Sequence, residues 1–289
     1  MTPGSNLDPE AAAALLARVR DVRPLVHHIT NTVTQNDVAN ITLAVGAAPV
    51  MAHAPEEVEA MVAQARALVL NLGTLSLAGV DAMLLAARRA NRRGIPVVLD
   101  PVGVGATPFR TAQAERLVAE VRLACVRGNG GEIAALAGRP GGVRGVDAVP
   151  EPDEARVSRD VRVGVAAGLA LRFGCAVAAT GQADVVTDGA RLVRLAHGHP
   201  WLARITGSGC MATACIGAFA AVETDALAAA VAGLACFEIA AEEAARAAAG
   251  PGSFRVGLFD ALAALEPDSV ARGRWTVERV AAAGGRTPS

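Results

Sequence analysis

The sequence of 289 residues contains no lysine, so all 27 of its Lys and Arg positions are arginine. A Walker-A phosphate-binding loop requires a lysine, and so does a Schiff-base mechanism, so both classes are excluded. If the protein binds phosphate, backbone amides, arginine side chains or a metal ion must provide the contacts.

Charge and cysteine usage exclude further classes. The formal net charge is −1 and the arginines form no block, so no surface for nucleic acid or an anionic membrane is indicated. The cysteines are odd in number, far apart and without a CxxC pair. This spacing argues against a zinc site or a disulfide framework and favours a reducing cytoplasm. The five are Cys125, Cys175, Cys210, Cys215 and Cys236.

Targeting and membrane segments are also missing from the sequence. The N-terminal stretch lacks the basic segment and apolar core of a secretory signal. No uncharged apolar run reaches the length of a membrane span, and the longest, around 211–222, is followed at once by Glu223 and Asp225. We therefore expect a cytoplasmic protein with neither a nucleic-acid nor a membrane partner.

What the chain does contain is 52% hydrophobic residues, arranged as short apolar runs that alternate with helical patterns. This alternation predicts an α/β fold with a largely parallel sheet and helices on both faces. Strands are predicted at 24–30, 48–52, 67–73, 94–100, 124–129 and 175–180, and a hairpin at 184–195. Helices are predicted from Pro9, at 34–46, 54–65 and 77–92, up to 173, and over most of the chain after 207.

No domain boundary is evident, so a single domain over 1–289 is expected. It would begin with an N-terminal helix within 1–20 and end in a variable tail over 266–289. A Gly- and Pro-rich connection is expected at 139–152.

The carboxyl ends of the predicted strands are the places where such sheets bind ligands. These ends fall at Asn31, Met51, Gly73, Asp100, Arg127–Asn129 and Thr180. Asp100 ends an apolar strand before a glycine-rich loop, a position that suits a magnesium ligand acting directly or through water. The alternative is a polar residue that only begins a loop.

The segment "VRGNGGEI" has two possible roles. Arg127 follows an apolar strand and suits phosphate binding. Asn129 and Glu132 have the spacing of a capping box, a purely structural role, although Glu132 could still serve magnesium through water. Thr180 could donate to a phosphate oxygen or only form a turn.

The segment "ITGSGCMATA" predicts a glycine-rich turn that opens a buried helix. Backbone N–H groups and the helix dipole would make Gly207, Ser208, Gly209 and Cys210 an anion hole. In the first turn the dipole is expected to lower the thiol pKa of Cys210. Three roles stay open for this thiol: a nucleophile, a weak base, or a small filler.

Other candidate residues favour structural interpretations. His27 and His28 point to opposite faces of a strand and so cannot form a paired metal site. His53, His197 and His199 are also expected to be structural. Met51 suits a core position or an apolar wall for a small ring.

The order of motifs resembles that of the hydroxyethylthiazole kinase family of the ribokinase-like superfamily. The motifs include "VHHITN", "GAAPVMAHAPEEVEAM", "LVLNLGTLS", "PVVLDPVGVGATPFR", "VRGNGGEIAAL", "ITGSGC" and "GPGSFRVGLFDAL", and they span about residues 20 to 265. The resemblance implies a three-layer αβα fold, a homotrimer with active sites at subunit interfaces, and the ATP-dependent phosphorylation of 4-methyl-5-(2-hydroxyethyl)thiazole in thiamine salvage.

The resemblance also implies roles for individual residues. Met51 and Gly207 would contact the thiazole, and Asn31, which is a candidate because it lies at a strand end, is placed with them as substrate-binding. Arg127 and Thr180 would bind the ATP phosphates, and Asp100 and Glu132 would organise Mg²⁺. Cys210 stands where most ribokinase-like enzymes have an aspartate base.

Two alternatives remain at this point. One is another ribokinase-like vitamer kinase of the hydroxymethylpyrimidine type, against which the cysteine in place of aspartate argues. The other is a non-catalytic thiazole- or nucleotide-binding protein, against which the intact "DPVG" and "RGN" motifs argue.

Overall fold

The structure is a computed structural model that describes residues 6–139, 143–144, 147–148 and 157–280. The helices of this part are α1 (Pro9–Val22), α2 (Gln35–Val45), α3 (Val58–Val62), α4 (Leu77–Arg92), α5 (Pro108–Glu120), α6 (Gly130–Leu136), α7 (Val157–Phe173), α8 (Ser208–Ala220), α9 (Ala226–Ala247), α10 (Pro251–Ala263) and α11 (Pro267–Ala271), with a 3₁₀ turn at Pro200–Arg204. The strands are β1 (Leu25–Ile29), β2 (Ala48–Val50), β3 (Ala67–Asn71), β4 (Val97–Asp100), β5 (Cys125–Asn129), β6 (Val143–Arg144), β7 (Asp147–Ala148), β8 (Ala176–Thr180), β9 (Asp184–Thr187), β10 (Arg191–Leu195) and β11 (Trp275–Arg279).

One sheet of nine strands forms the centre of the described structure, in the order β11-β10-β9-β8-β5-β4-β3-β1-β2. The pairings from β2 across to β8 are all parallel. The pairings from β8 out to β11 are antiparallel. The mainly parallel sheet expected from the sequence is therefore confirmed.

Helices cover both faces of this sheet because its central strands alternate apolar side chains between two cores. On β3, Ala67 and Val69 pack with α1, α2, α8, α9 and α10. Leu68 and Leu70 pack on the other face with α3, α4, α5, α6 and α7. The result is the expected three-layer αβα arrangement.

Local signals in the sequence set many helix ends. Asp8 caps α1 by accepting a hydrogen bond from the Ala11 amide at 2.8 Å. Gly46 ends α2 with φ +107°, a conformation that a residue with a side chain rarely adopts. Helix α4 has the predicted bounds of 77–92 and begins at the cap Ser76. Both α1 and α4 confirm helices predicted by capping and periodicity.

Two elements differ from the prediction. Helix α3 occupies only Val58–Val62, because the Ala54 carbonyl accepts from both the Glu57 and Val58 amides and residues 55–57 form a turn. Strand β11 was not predicted, yet it pairs antiparallel with β10, and Trp275 Nε1 donates to the Leu7 carbonyl at 2.7 Å. The chain after 266 is thus folded onto the sheet as far as residue 280.

Most of the connection expected at 139–152 and the end of the tail, 281–289, lie outside the described residues. Among the helices of the described part, none has the length and apolar character to cross a membrane.

Candidate active site

Polar side chains meet where the parallel strands end beneath the start of α8. The register places Asn71 of β3 beside Asp100 of β4, and Asn129 of β5 beside Thr180 of β8. The strand ends predicted as ligand positions thus lie along one edge of the sheet. Helix α8 packs against β3 and β4 and brings its first turn over this edge.

The first turn of α8 requires glycine at Gly207. Its φ is +84°, and a side-chain carbon there would lie 2.5 Å from Thr34 Cγ2. Gly207 offers no side-chain cap to the helix, and its carbonyl accepts from the Met211 amide at 2.9 Å. The amides of Ser208, Gly209 and Cys210 lie in the turn whose N–H groups have no intrahelical partner, which is the arrangement needed to bind an anion.

Arg127 lies against this turn of α8. Strand alternation directs it to the same face as Cys125, which packs in the core that contains α8. A side-chain carbon at Gly209 would lie 3.1 Å from Arg127 Cζ, so glycine leaves space for the guanidinium. Arg127 donates to Thr180 Oγ1, and its Nη1 is 3.9 Å from Asp100 Oδ2. The structure therefore brings together the predicted phosphate-binding residues and the predicted anion hole.

Asp100 is fully buried, and only one of its oxygens has protein partners in the described structure. Oδ2 accepts from Thr213 Oγ1 at 2.8 Å and from Asn71 Nδ2 at 3.1 Å, whereas Oδ1 has no partner. Burial raises the pKa of Asp100, against the opposing effects of Arg127, Thr213 and Asn71. A buried carboxylate with a free oxygen suits the binding of a cation.

Glu132 forms a capping box with Asn129 at the start of α6, which is the structural role predicted from their spacing. Its Oε2 accepts from the Asn129 amide at 2.8 Å, and Asn129 Oδ1 accepts from the Glu132 amide at 2.9 Å. Its Oε1 accepts from the Gly103 amide at 2.8 Å and so also holds the loop after β4. Burial and repulsion by Asp100 raise the pKa of Glu132 to about 7.

The two carboxyl groups fit magnesium better than a metal held by protein ligands alone. Within the described residues, no cluster of three His, Cys, Asp or Glu side chains forms a metal site. Asp100 and Glu132 repel each other electrostatically, and a cation nearby would relieve this repulsion. Magnesium commonly uses one or two carboxylates together with water and substrate phosphates.

Cys210 is partly buried, and its sulfur accepts two amide hydrogen bonds. Asn71 Nδ2 lies 3.2 Å and Asn31 Nδ2 3.4 Å from Sγ. Burial and the charge of Asp100 raise the thiol pKa, against the opposing effects of Thr34, Asn71 and Arg127. The thiol pKa is therefore raised and not lowered as its position at the helix start predicted, because desolvation and a neighbouring carboxylate disfavour the thiolate. No histidine is among the groups that act on the thiol pKa, which argues against a nucleophile.

Two side chains were predicted on the substrate side. Asn31 forms hydrogen bonds with Cys210 and Asn71, whereas Met51 is placed near them by packing alone. Asn31 Oδ1 accepts from the Thr34 amide at 3.0 Å and from Thr34 Oγ1 at 3.1 Å. Met51 follows the edge strand β2 and packs half-buried against the core that contains α8. Its contact with a thiazole remains a prediction.

All five histidines make hydrogen bonds within the described structure, which fits the structural roles expected of them, and His53 Nε2 is 3.3 Å from Gln35 Nε2. His27 Nε2 is 2.8 Å from the Ala52 carbonyl, and His28 Nε2 is 3.2 Å from Thr42 Oγ1. Burial lowers the pKa of both, that of His28 to about 3. His197 bonds Glu242 and the Arg274 amide. His199 bonds the amide of Trp201 at the start of the 3₁₀ turn.

Sequence reasoning missed Asn71, Thr213 and Arg110. Asn71 is the one polar residue within the apolar run 67–72, a signal that could have identified it. Arg110 holds the ends of β3 and β4 by donating to the carbonyls of Leu72 and Gly73 at 2.7 Å and of Val102 at 3.0 Å. Thr213 is likewise the one polar residue in the apolar run 211–220, whereas Arg110 after a cap gives no comparable signal.

Comparison with known proteins gives a consistent result along almost the whole chain. Residues 16–268 match the model of the hydroxyethylthiazole kinase family. The chain is 56% identical to the hydroxyethylthiazole kinase of Desulforudis audaxviator, over 93% of this chain and 95% of the relative. The solved structure of hydroxyethylthiazole kinase from Pyrococcus horikoshii superposes with a TM-score of 0.83 at 41% identity, over 93% of this chain and 99% of that one.

A more distant structure supports the fold alone. A ribokinase-like superfamily protein from Enterococcus faecalis has a TM-score of 0.56 at 11% identity, over 86% of this chain and 93% of that one. The ribokinase-like fold expected from the resemblance is therefore confirmed.

Proposed function

This chain belongs to the hydroxyethylthiazole kinase family. We propose that the residues at the first turn of α8 and at the neighbouring strand ends carry out its phosphoryl transfer. The chain is a phosphotransferase that phosphorylates the alcohol of 4-methyl-5-(2-hydroxyethyl)thiazole with ATP, a step of thiamine salvage. The observation that carries the residue assignment is the meeting of Arg127, Asp100 and Cys210 at the first turn of α8.

Arg127, Thr180 and the amides of Ser208, Gly209 and Cys210 bind the phosphates of ATP. Phosphoryl transfer passes through a loose transition state, so positioning and charge stabilisation provide most of the rate enhancement. The guanidinium supplies a positive charge, and the helix start supplies N–H donors that are already oriented. The absence of lysine is consistent with this amide-based site.

Asp100 and Glu132 would hold magnesium: Asp100 has an unpartnered Oδ1 to offer, whereas both oxygens of Glu132 already accept backbone hydrogen bonds and so suit a contact through water. When bound, magnesium supplies positive charge that neutralises the phosphate oxygens. Thr213 and Asn71 fix the orientation of the Asp100 carboxyl by donating to its other oxygen.

Cys210 faces the acceptor alcohol, with Asn31, Met51 and Gly207 on the same substrate side. With a raised pKa the thiol is neutral at physiological pH, so it orients the alcohol and is at most a weak proton acceptor. This is sufficient for a loose transition state, in which the alcohol does not have to be deprotonated beforehand.

We further propose a cytoplasmic homotrimer with active sites at the subunit interfaces. Free thiols at all five cysteines suit a reducing compartment. One feature supports an interface near the site: β2 is an edge strand of the described sheet and leads to Met51. Val33, between Asn31 and Thr34, is 68% exposed and would be covered by such an interface.

A coupled assay of ADP release tests the substrate assignment. We expect ADP to form with the thiazole alcohol and much more slowly with a hydroxymethylpyrimidine or a sugar alcohol. Faster turnover of the pyrimidine would assign the protein to another vitamer kinase class. Binding of the thiazole alcohol without any stimulation of ADP release would favour a binding protein.

A further inference from the structure

Asn71 links the two functional groups of the site that come from different elements. It is buried at the last position of β3, with 3% of its surface exposed. Its Nδ2 lies 3.1 Å from Asp100 Oδ2 at the end of β4 and 3.2 Å from Cys210 Sγ in the first turn of α8. The Asn71 amide nitrogen therefore donates one hydrogen to the Asp100 carboxylate and the other to the Cys210 sulfur.

The orientation of this amide is determined by the backbone. The amide of Gly73 can only donate, and it lies 2.9 Å from Asn71 Oδ1, so this atom must be the oxygen. Asn31 Nδ2 donates to the same oxygen at 2.9 Å. The Asn31 amide is oriented in turn by the Thr34 backbone amide, which donates to its Oδ1 at 3.0 Å. Both asparagines therefore present N–H groups to the sulfur.

We propose that Asn71 is a positioning residue for the phosphoryl transfer, because its amide holds the sulfur of Cys210 and the carboxylate of Asp100 at a fixed separation. The roles of the two groups rest on the proposed function: Cys210 faces the acceptor alcohol, and Asp100 serves the metal and phosphates. Asn71 itself affects the rate of phosphoryl transfer only through these two groups.

The two held groups differ in how much they depend on Asn71. Asp100 keeps a hydrogen bond from Thr213 if Asn71 is removed. Cys210 keeps the longer bond from Asn31 and the nearby Thr34 hydroxyl, and sulfur is a weak acceptor. Loss of Asn71 therefore releases the sulfur more than the carboxylate.

Kinetics of Asn71→Ala and Asn71→Asp test the positioning role. Asn71→Asp keeps an oxygen for the Gly73 and Asn31 donors, but it replaces the N–H donor with a carboxylate oxygen that also repels the Asp100 carboxylate. We expect kcat to fall about tenfold in Asn71→Ala and at least as much in Asn71→Asp, with little change in KM for ATP or the thiazole alcohol. The control Asn91→Ala, which removes hydrogen bonds to Arg122 far from the site, should keep kcat.

Combination with Cys210→Ala tests whether Asn71 acts through the sulfur. In that background we expect Asn71→Ala to lower kcat less than threefold, because interacting residues are not additive. Equal losses in both backgrounds, or an Asn71→Asp variant as fast as the wild type, would overturn the proposal.

An infrared measurement tests the contact without relying on activity. The S–H stretching band of Cys210 is identified by its loss in Cys210→Ala, and its frequency depends on hydrogen bonding at sulfur. We expect this band to shift in Asn71→Ala and not in Asn91→Ala; an unshifted band would contradict the contact. If the wild type forms no ADP with the thiazole alcohol while the band shifts, the proposed function fails and the contact stands.

Discussion

At the scale of single residues, the position of Cys210 is the least expected feature of the site. A thiol at a helix start would ordinarily be acidified, yet burial and Asp100 raise its pKa. At neutral pH the thiol therefore stays protonated, and a protonated thiol is a poor proton acceptor. A loose phosphoryl-transfer transition state requires little base catalysis, which is consistent with the role that we propose for a cysteine there.

Substitution of Cys210 tests this interpretation. We expect Cys210→Asp to keep or raise kcat, since a carboxylate is the better proton acceptor and Asn31 and Asn71 can donate to it. Cys210→Ala should lower kcat without abolishing it. Steady-state kinetics check both, and complete loss in both variants with intact folding would point to covalent or structural use of the thiol.

Substitution of Arg127 tests the phosphate site. We expect Arg127→Ala to raise KM for ATP, because the guanidinium lies against the anion hole and no lysine can replace it. The exposed Arg116→Ala, which removes only surface ion pairs, is the matched control and should leave KM unchanged. An unchanged KM for ATP in Arg127→Ala would remove Arg127 from the phosphate site.

At the scale of elements, the strand ends were predictable and the contacts between elements were not. Asp100, Arg127 and Thr180 could be identified because apolar strands end at or near them and parallel strands end at one edge. Asn71 and Thr213 are polar residues inside apolar elements, and their roles depend on β3, β4 and α8 packing together. Strand β11 depends on pairing with β10, which is about eighty residues earlier in the sequence.

Substitution of Gly207 tests the geometry of the α8 start. Gly207→Ala introduces strain at φ +84° and a contact with Thr34, so we expect the first turn to shift and kcat/KM to fall. The cost should be about 1–3 kcal/mol in stability, measured by urea unfolding. Gly164→Ala, in α7 with open space around it, should keep activity and unfold no more easily. Full activity of Gly207→Ala would show that the turn tolerates a side chain.

At the scale of the whole molecule, two cores hold α8 and α6 on opposite faces of the sheet. The anion hole and Cys210 come from the α8 layer, whereas Glu132 comes from the α6 layer. Asp100 lies at the end of β4 between them. The site therefore exists only when all three layers are assembled, and the partner subunits of the proposed trimer would complete its substrate side.

An exposed valine tests the proposed trimer. We expect Val33→Asp to shift the molecular mass measured by light scattering from trimer towards monomer, with a loss of activity, because a charge would be buried at the interface. Leu171 is 69% exposed on α7 in the other layer, and Leu171→Asp should leave the mass unchanged. A monomeric wild type with full activity would exclude the trimer.

The central claim is that this site transfers a phosphoryl group to the thiazole alcohol, and the most direct test is to identify the product. Purified protein would be incubated with ATP, magnesium and 4-methyl-5-(2-hydroxyethyl)thiazole, and the products followed by phosphorus NMR and mass spectrometry. The account predicts the phosphate monoester of the alcohol, formed in the same amount as ADP. ADP together with free phosphate and no ester, or no ADP at all, would contradict it.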